Sequence, residues 1–268
     1  MTRAKGVHSP LVLLAVDRES HVATLTLNRP EALNAISRQL AAELLATCNA
    51  LADRDDVWVV IVTGAGDRAF CAGADLKERR MLSPQERSAH TAAIEAAAEA
   101  LAALPMPTIA AVRGFALAGG SELAIACDLR VAAHDATFGF PEVKIGIFPG
   151  AGGALRLPCI VGGGPARDLL FTGRHVTADE ALRLGLVDRL VPAESVLVSA
   201  GELARSIAAN APLAVRAVKR AIEVSPGASF EDARRAVNSL RSALDNTDDY
   251  EEGLSAFAER RSPRFTGR

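Results

Sequence analysis

The sequence predicts an α/β protein, with a layered core over residues 1–192 and a helical region over 193–268. Short apolar runs of strand length alternate with segments of helical period through the first part of the chain. Beyond Ala193 only the helical period remains. With 268 residues and 49% hydrophobic content, the chain can bury a substantial core.

Residues 11–16 and 22–27 read as strands, the second from the alternation of Ala23, Leu25 and Leu27 with Thr24 and Thr26. Asn28-Arg29-Pro30 is a turn signal that ends it. Ile36, Leu40, Leu44, Leu45, Cys48 and Leu51 then recur at helical spacing. Residues 57–62 form an unbroken apolar run, as in a strand covered on both faces, and residues 63–67 break it. In Ser83-Pro84-Gln85-Glu86 the serine caps, the proline takes the first turn and the glutamate completes a capping box. A helix is expected from there to about Ala103, stopped by Pro105 and Pro107. Residues 108–112 are a buried strand, 114–120 a loop, 121–127 a helix opening from that loop, and 129–133 another strand. Glycine clusters at 150–153 and 162–164 flank a short segment and suit either turns or a ligand. Thr177-Ala178-Asp179-Glu180 is a second capping box, leading a short helix before a strand over 186–191. Helices follow at roughly 193–210, 212–224, 230–244 and 248–260, and no short internal repeat is present.

The net charge is −2, so no global basic field draws nucleic acid or an anionic membrane. Cys48, Cys71, Cys127 and Cys159 form no CxxC pair and read as thiols of a reducing compartment. His8, His21, His90, His134 and His175 show no metal-ligand spacing. Residues 1–10 contain no apolar signal core, residues 11–16 are too short for one, and no run approaches a membrane span. A cytoplasmic location is the expectation. The abundance of alanine, and of arginine over lysine, fits a GC-rich bacterial genome.

Two stretches end in glutamate: Leu117-Ala118-Gly119-Gly120-Ser121-Glu122 and Phe140-Pro141-Glu142. Upstream lies Cys71-Ala72-Gly73-Ala74-Asp75. Small residues let backbone amides approach a ligand closely, and two such loops can aim two N–H groups at one developing oxyanion. Two carboxylates beside them can move protons. Taken singly, Glu122 is an acid at a helix start, favoured by the dipole, and Glu142 is a loop acid. Their joint placement behind the loops points to chemistry through an enolate. Asp75 with Lys77 reads as a surface ion pair, or Lys77, Arg79 and Arg80 as a phosphate-holding face. Asp128 reads as structural, and Phe257 with Arg260 and Arg261 as amphipathic packing.

At these residues the chain resembles the enoyl-CoA hydratase/isomerase family, the crotonase superfamily. The resemblance runs nearly end to end. It passes through Asn28-Arg29-Pro30, Ala32-Leu33-Asn34-Ala35, Phe70 to Glu78, Pro107 to Val112 and Gly119-Gly120-Ser121-Glu122-Leu123-Ala124. It continues through Phe138 to Glu142, Phe148-Pro149-Gly150-Ala151-Gly152-Gly153, Leu184-Gly185-Leu186-Val187 and Ala256 to Arg261. The resemblance implies a spiral of ββα units (the ClpP/crotonase fold) with a carboxy-terminal helical trimerisation region. Trimers, or hexamers built as dimers of trimers, are the implied assembly.

The same resemblance implies that the amides of Ala74 and Gly119 form the oxyanion hole for the acyl thioester oxygen. Glu122 would act mainly as base toward water and Glu142 mainly as proton donor. Hydration of a 2-trans-enoyl-CoA is the implied reaction, because both glutamate positions are filled. Ala32, Leu33, Ala72, Asp75, Leu76, Lys77, Gly120, Pro141, Pro149 and Gly150 are expected around the acyl-CoA, with Lys77, Phe257 and Arg260 toward the coenzyme end. No metal and no permanently bound cofactor is implied; coenzyme A enters as part of the substrate. An isomerase or another acyl-CoA enzyme on the same scaffold, including a methylglutaconyl-CoA hydratase, is the alternative. An RNA- or protein-binding relative is a further one. The segment expected to form the helix after Lys77 carries Glu86, Glu95 and Glu99 and no lysine, which argues against RNA. Ala118 stands where many relatives have glycine, and Ala154-Leu155-Arg156 replaces the more usual Thr-Gln-Arg. Acyl length, branching and pathway stay open.

Overall fold

The computed structural model describes residues 9–224 and 227–268. Residues 1–8 of the segment read above for a signal core, His8 included, lie outside the described residues. The chain opens with strands β1 (Val12–Asp17) and β2 (Val22–Leu27), helix α1 (Arg38–Ala52), and strands β3 (Val59–Gly64) and β4 (Ala69–Cys71). Helices α2 (Leu76–Arg80) and α3 (Pro84–Ala102) lead to β5 (Thr108–Val112), β6 (Phe115–Leu117) and α4 (Gly119–Ala126). Next come β7 (Leu129–Ala133), β8 (Thr137–Gly139), α5 (Gly153–Val161), α6 (Gly163–Thr172), β9 (His175–Thr177), α7 (Ala178–Arg183) and β10 (Arg189–Val191). Four helices close the chain: α8 (Val196–Ala208), α9 (Pro212–Val224), α10 (Phe230–Ser242) and α11 (Asp248–Glu259).

A six-stranded sheet runs β1-β2-β3-β5-β7-β10 and a four-stranded sheet runs β4-β6-β8-β9. Each of the pairs β3/β4, β5/β6 and β7/β8 puts one strand in each sheet before the chain moves on. The result is the expected spiral of ββα units. Strands β2, β3, β5, β7 and β10 run parallel, and only β1 is antiparallel in that sheet.

The period of two in the central strands explains their unbroken apolar runs. Val60 and Val62, Ala110 and Val112, and Ala132 face the main core with Leu40, Leu44, Phe70, Leu123, Phe138 and Phe140. Val59 and Ile61, Ile109 and Ala111, and Val131 and Ala133 face the other way, onto Val196, Ala200, Leu203 and Ala204 of α8. Both faces are covered, so both sets of side chains are apolar. Helix α8 lies beyond residue 192 yet packs back on the sheet, and α9 is tied to the core by Lys219, which donates to Met106 O (3.1 Å), and by Arg216, which donates to Val57 O (3.2 Å).

The α3 capping box forms as expected: Glu86 N donates to Ser83 Oγ (3.3 Å), and Ser83 N donates to Glu86 Oε2 (2.8 Å). The second box is only half made. Thr177 Oγ1 accepts from Glu180 N at 3.3 Å, but Glu180 gives its carboxylate to Arg174 at 2.7 and 3.1 Å. The strand expected over 186–191 is confined to β10, because Leu186 and Val187 donate their amides to Ala181 O and close α7 instead. The segment between the glycine clusters becomes α5, helical through Pro158, and α6 follows Gly162 directly. The expected loop at 114–120 contains β6, and α4 begins two residues before the expected 121.

Candidate active site

The site hangs from the parallel pair β6 and β8, in which Leu117 faces Gly139. Five residues beyond Leu117 the chain reaches Glu122, and three beyond Gly139 it reaches Glu142. The register therefore brings two acids distant in sequence to one end of the small sheet. Ala118 N donates to Gly139 O at 2.9 Å. Ser121 ties the same strands, donating Oγ–H to Ala116 O (2.5 Å) and accepting from Gly139 N (3.2 Å). Gly120 admits no side chain, since a Cβ there would come 2.0 Å from Cys71 O of β4.

The two small-residue loops touch. Gly73 has φ +89°, and a Cβ on it would lie 2.9 Å from Leu117 O, 3.1 Å from Gly119 N and 2.8 Å from the Ala118 methyl. The amide after Gly73 belongs to Ala74, and that of Gly119 opens α4. Among the described residues, neither of these amides donates to a protein acceptor. The Ala74 loop is fixed from the side by Ile36, which donates N–H to Gly73 O (2.8 Å) and accepts from Asp75 N (3.0 Å). Ala72 N donates to Leu33 O at 3.0 Å, so Ala32 and Leu33 border the same loop. Leu33 and Asn34 both sit at positive φ (54° and 53°). The buried Asn34 offsets that strain by accepting from Arg29 N (2.9 Å) and donating to Ala65 O (3.0 Å) and Ala69 O (2.8 Å).

Glu122 is buried in the first turn of α4. Its Oε1 accepts from Ala151 N (2.8 Å) and Gly153 N (2.9 Å), and Oε2 has no protein partner among the described residues. Burial pushes this carboxyl up from its ordinary range; the two amides and the nearby Arg156 oppose the shift. Glu142 is buried in a 3-10 turn, Pro141–Ile145, that Pro141 opens. Neither of its oxygens has a hydrogen-bond partner among the described residues. Burial raises its pKa to about 7, and the Glu122 charge pushes it the same way. The two buried acids therefore feel one another. A buried carboxyl without partners is costly, and such arrangements concentrate where protons are moved.

The remaining expected residues fall in several places. Pro149 is buried against Gly153, and Gly150 lies near Thr91 of α3. Leu76 and Lys77 are exposed at the start of α2. The Asp75 carboxylate is committed to structure: it caps α2 through Lys77 N (3.0 Å) and Glu78 N (3.1 Å), and it pairs with Arg29 (3.0 Å) rather than with the Lys77 side chain. Phe257 and Arg260 sit at the end of α11, Phe257 86% exposed, and contact none of these groups among the described hydrogen bonds and ion pairs. Sequence reasoning took Ser121 only as a small residue that lets Glu122 begin its helix, not as the tie between β6 and β8, and assigned no role to the Ala151 and Gly153 amides or to Arg156 behind Glu122. The Gly150–Gly153 cluster was the one signal for the amides. Among the described residues, no group of three or more His, Cys, Asp or Glu could hold a metal ion.

Two small-residue loops in contact, each with an amide that has no protein acceptor among the described residues, and two buried acids that interact electrostatically make up the candidate enzyme site. A sequence profile of the enoyl-CoA hydratase/isomerase family matches residues 17–268. The chain is 42% identical over 256 residues to the putative enoyl-CoA hydratase/isomerase YngF of Bacillus subtilis, covering 96% of this chain and 98% of that protein. It is 39% identical to the short-chain-enoyl-CoA hydratase of Clostridium acetobutylicum, over 92% of this chain and 94% of that one. The crystal structure of an enoyl-CoA hydratase from Bacillus anthracis superposes with a TM-score of 0.92 at 40% identity, over 95% and 99% of the two chains. The protein belongs to the enoyl-CoA hydratase/isomerase family.

Proposed function

We propose that the protein is an enoyl-CoA hydratase, adding water reversibly across the 2,3 double bond of a 2-trans-enoyl-CoA. The observation that carries the reading is the pair of buried acids, Glu122 and Glu142, beside the free amides of Ala74 and Gly119. Those amides donate hydrogen bonds to the thioester carbonyl oxygen and stabilise the enolate charge that develops on it. Glu122, whose ionised form two amides favour against burial, takes a proton from water as the water oxygen bonds to C3. Glu142, with its raised pKa, gives a proton to C2. Glu122 ends protonated and Glu142 ionised, and exchange of one proton between them resets the site. The reverse sequence dehydrates a 3-hydroxyacyl-CoA.

Coenzyme A arrives with the substrate. Ala32, Leu33 and Ala72 border its path to the oxyanion loop, and Lys77 stands exposed for its phosphates. The assembly we infer is a trimer or a pair of trimers, in a cytoplasmic setting. No described helix is long and apolar enough to cross a membrane.

The test is loss of crotonyl-CoA absorbance. The wild type should hydrate it, and Glu122→Gln and Glu142→Gln should each lower kcat by about 10²–10⁴-fold. Normal turnover in both variants defeats the assignment. Product analysis with a 3-enoyl-CoA separates hydration from isomerisation.

A further inference from the structure

Glu122 is aimed by a turn, and that turn is itself held. The amides donated to Glu122 Oε1 belong to Ala151 and Gly153, at the entry to α5. One turn of helix later comes Arg156. Its Nη1 donates to Ala151 O at 3.1 Å, and its backbone N donates to Gly152 O at 2.8 Å. The guanidinium lies across the Gly152 α-carbon, where a Cβ would come 1.7 Å from Nη1. Its Nη2 donates to Glu99 Oε1 of α3 at 2.7 Å. Ala151 is thus gripped on one side by the catalytic carboxylate and on the other by an arginine anchored to a different helix.

We propose that Arg156 is a positioning residue for Glu122: bridging Glu99 and the Ala151 carbonyl, it fixes the turn whose amides aim the carboxylate, and it places a positive charge behind that carboxylate. The kinetic part rests on the hydratase reading. The planar fork of arginine suits the task, since one guanidinium serves two acceptors in different directions. An ammonium keeps the charge but reaches both acceptors poorly. The charged groups around Glu122 are Arg156 from α5, Glu95 and Glu99 from α3, and Glu142 across the site. Arg156 favours the ionised form of Glu122, and Glu95 disfavours it. Glu99, more than half exposed, partly neutralises Arg156.

The experiment compares wild type with Arg156→Gln, Arg156→Lys and Glu99→Gln. One measurement is kcat and KM for crotonyl-CoA across pH; the other is the Glu122 titration by ¹³C NMR, assigned by difference from Glu122→Gln. Arg156→Gln should lower kcat about 10- to 100-fold with KM changed by less than about threefold. Its acidic limb and its Glu122 titration should both move to higher pH. Arg156→Lys should return the limb toward the wild-type position while kcat stays lowered. Glu99→Gln, on the surface, should move the limb to lower pH. The proposal is overturned if the Glu122 titration in Arg156→Gln matches wild type, or if Arg156→Gln merely loses its fold while Glu99→Gln leaves limb and titration unmoved. A wild type that does not hydrate crotonyl-CoA, with a Glu122 titration that still moves in Arg156→Gln, sinks the hydratase reading and leaves the Arg156 role standing.

Discussion

Glu142 sets the pH response of single residues here. Its carboxyl is raised from 4.5 to about 7 by burial. In its proposed role of proton donor it must be protonated in the free enzyme, so kcat/KM should fall as pH rises beyond about 7. Ionisation of Glu122 sets the opposite limb. A profile of crotonyl-CoA hydration that stays flat above neutrality would count against Glu142 as donor. The same shift has a stability consequence. Between pH 4.5 and about 7 the folded state keeps a proton that the unfolded chain has released, so stability falls as pH rises through that window. Glu142→Gln should therefore be more stable than wild type at pH 8, by about 1–3 kcal/mol, and equal to it near pH 4. Thermal melts at the two pH values check this. Ala118 also carries a backbone cost, at φ 50° and ψ −126°. The methyl points at Gly73. Relief of about 1–3 kcal/mol of strain, less about 0.5–1 for added glycine entropy, predicts that Ala118→Gly gains about 1 kcal/mol.

Among the elements, α9 is tied down by a buried ammonium. The buried Lys219 donates to Asp128 Oδ2 (2.8 Å) and Met106 O (3.1 Å), and Asp128 also accepts from Thr108 N at 2.7 Å. Asp128→Asn leaves an ammonium buried without its counter-charge. Partial exposure of Asp128 reduces the penalty, and a loss of about 2–4 kcal/mol in urea unfolding is expected. Adding Lys219→Met should recover part of it, the measure of direct interaction in a double-mutant cycle. Asp128 was legible as a structural acid, but its partner on α9 was not, because 91 residues separate them. The long strands and helices were legible because period and capping are local: Ser83 and Glu86 announce α3 within four positions. The strands β4, β8 and β9 were not, each being three residues long and too short to show a period. Both glutamates and both amide loops could be named from sequence. The turn and arginine behind Glu122 could not, since a glycine cluster looks the same whether it cradles a ligand or a carboxylate.

At the scale of the whole molecule, the carboxy-terminal helices carry apolar side chains that this chain alone does not cover. Phe230 is 84% and Phe257 86% exposed, with Val218 and Ile222 also open on α9. Val143, Ile145, Ile147 and Phe148 form a second exposed run directly after Glu142. Contiguous apolar surface of this kind usually meets a partner. On the trimer reading, light scattering should give three or six times the 28.0 kDa chain mass. Phe257→Asp with Phe230→Asp should shift the species toward monomer. If the mass is unchanged in that variant, these two side chains lie outside the interface.

In the proposed mechanism the grip on the thioester oxygen comes from main-chain groups that every amino acid but one carries. A saturation library at position 74 should consequently show a flat activity profile across small side chains and a single deep hole at proline, which alone lacks the hydrogen. Deep mutational scanning would see catalysis at this position only as that hole, and an alanine-based survey would miss it altogether.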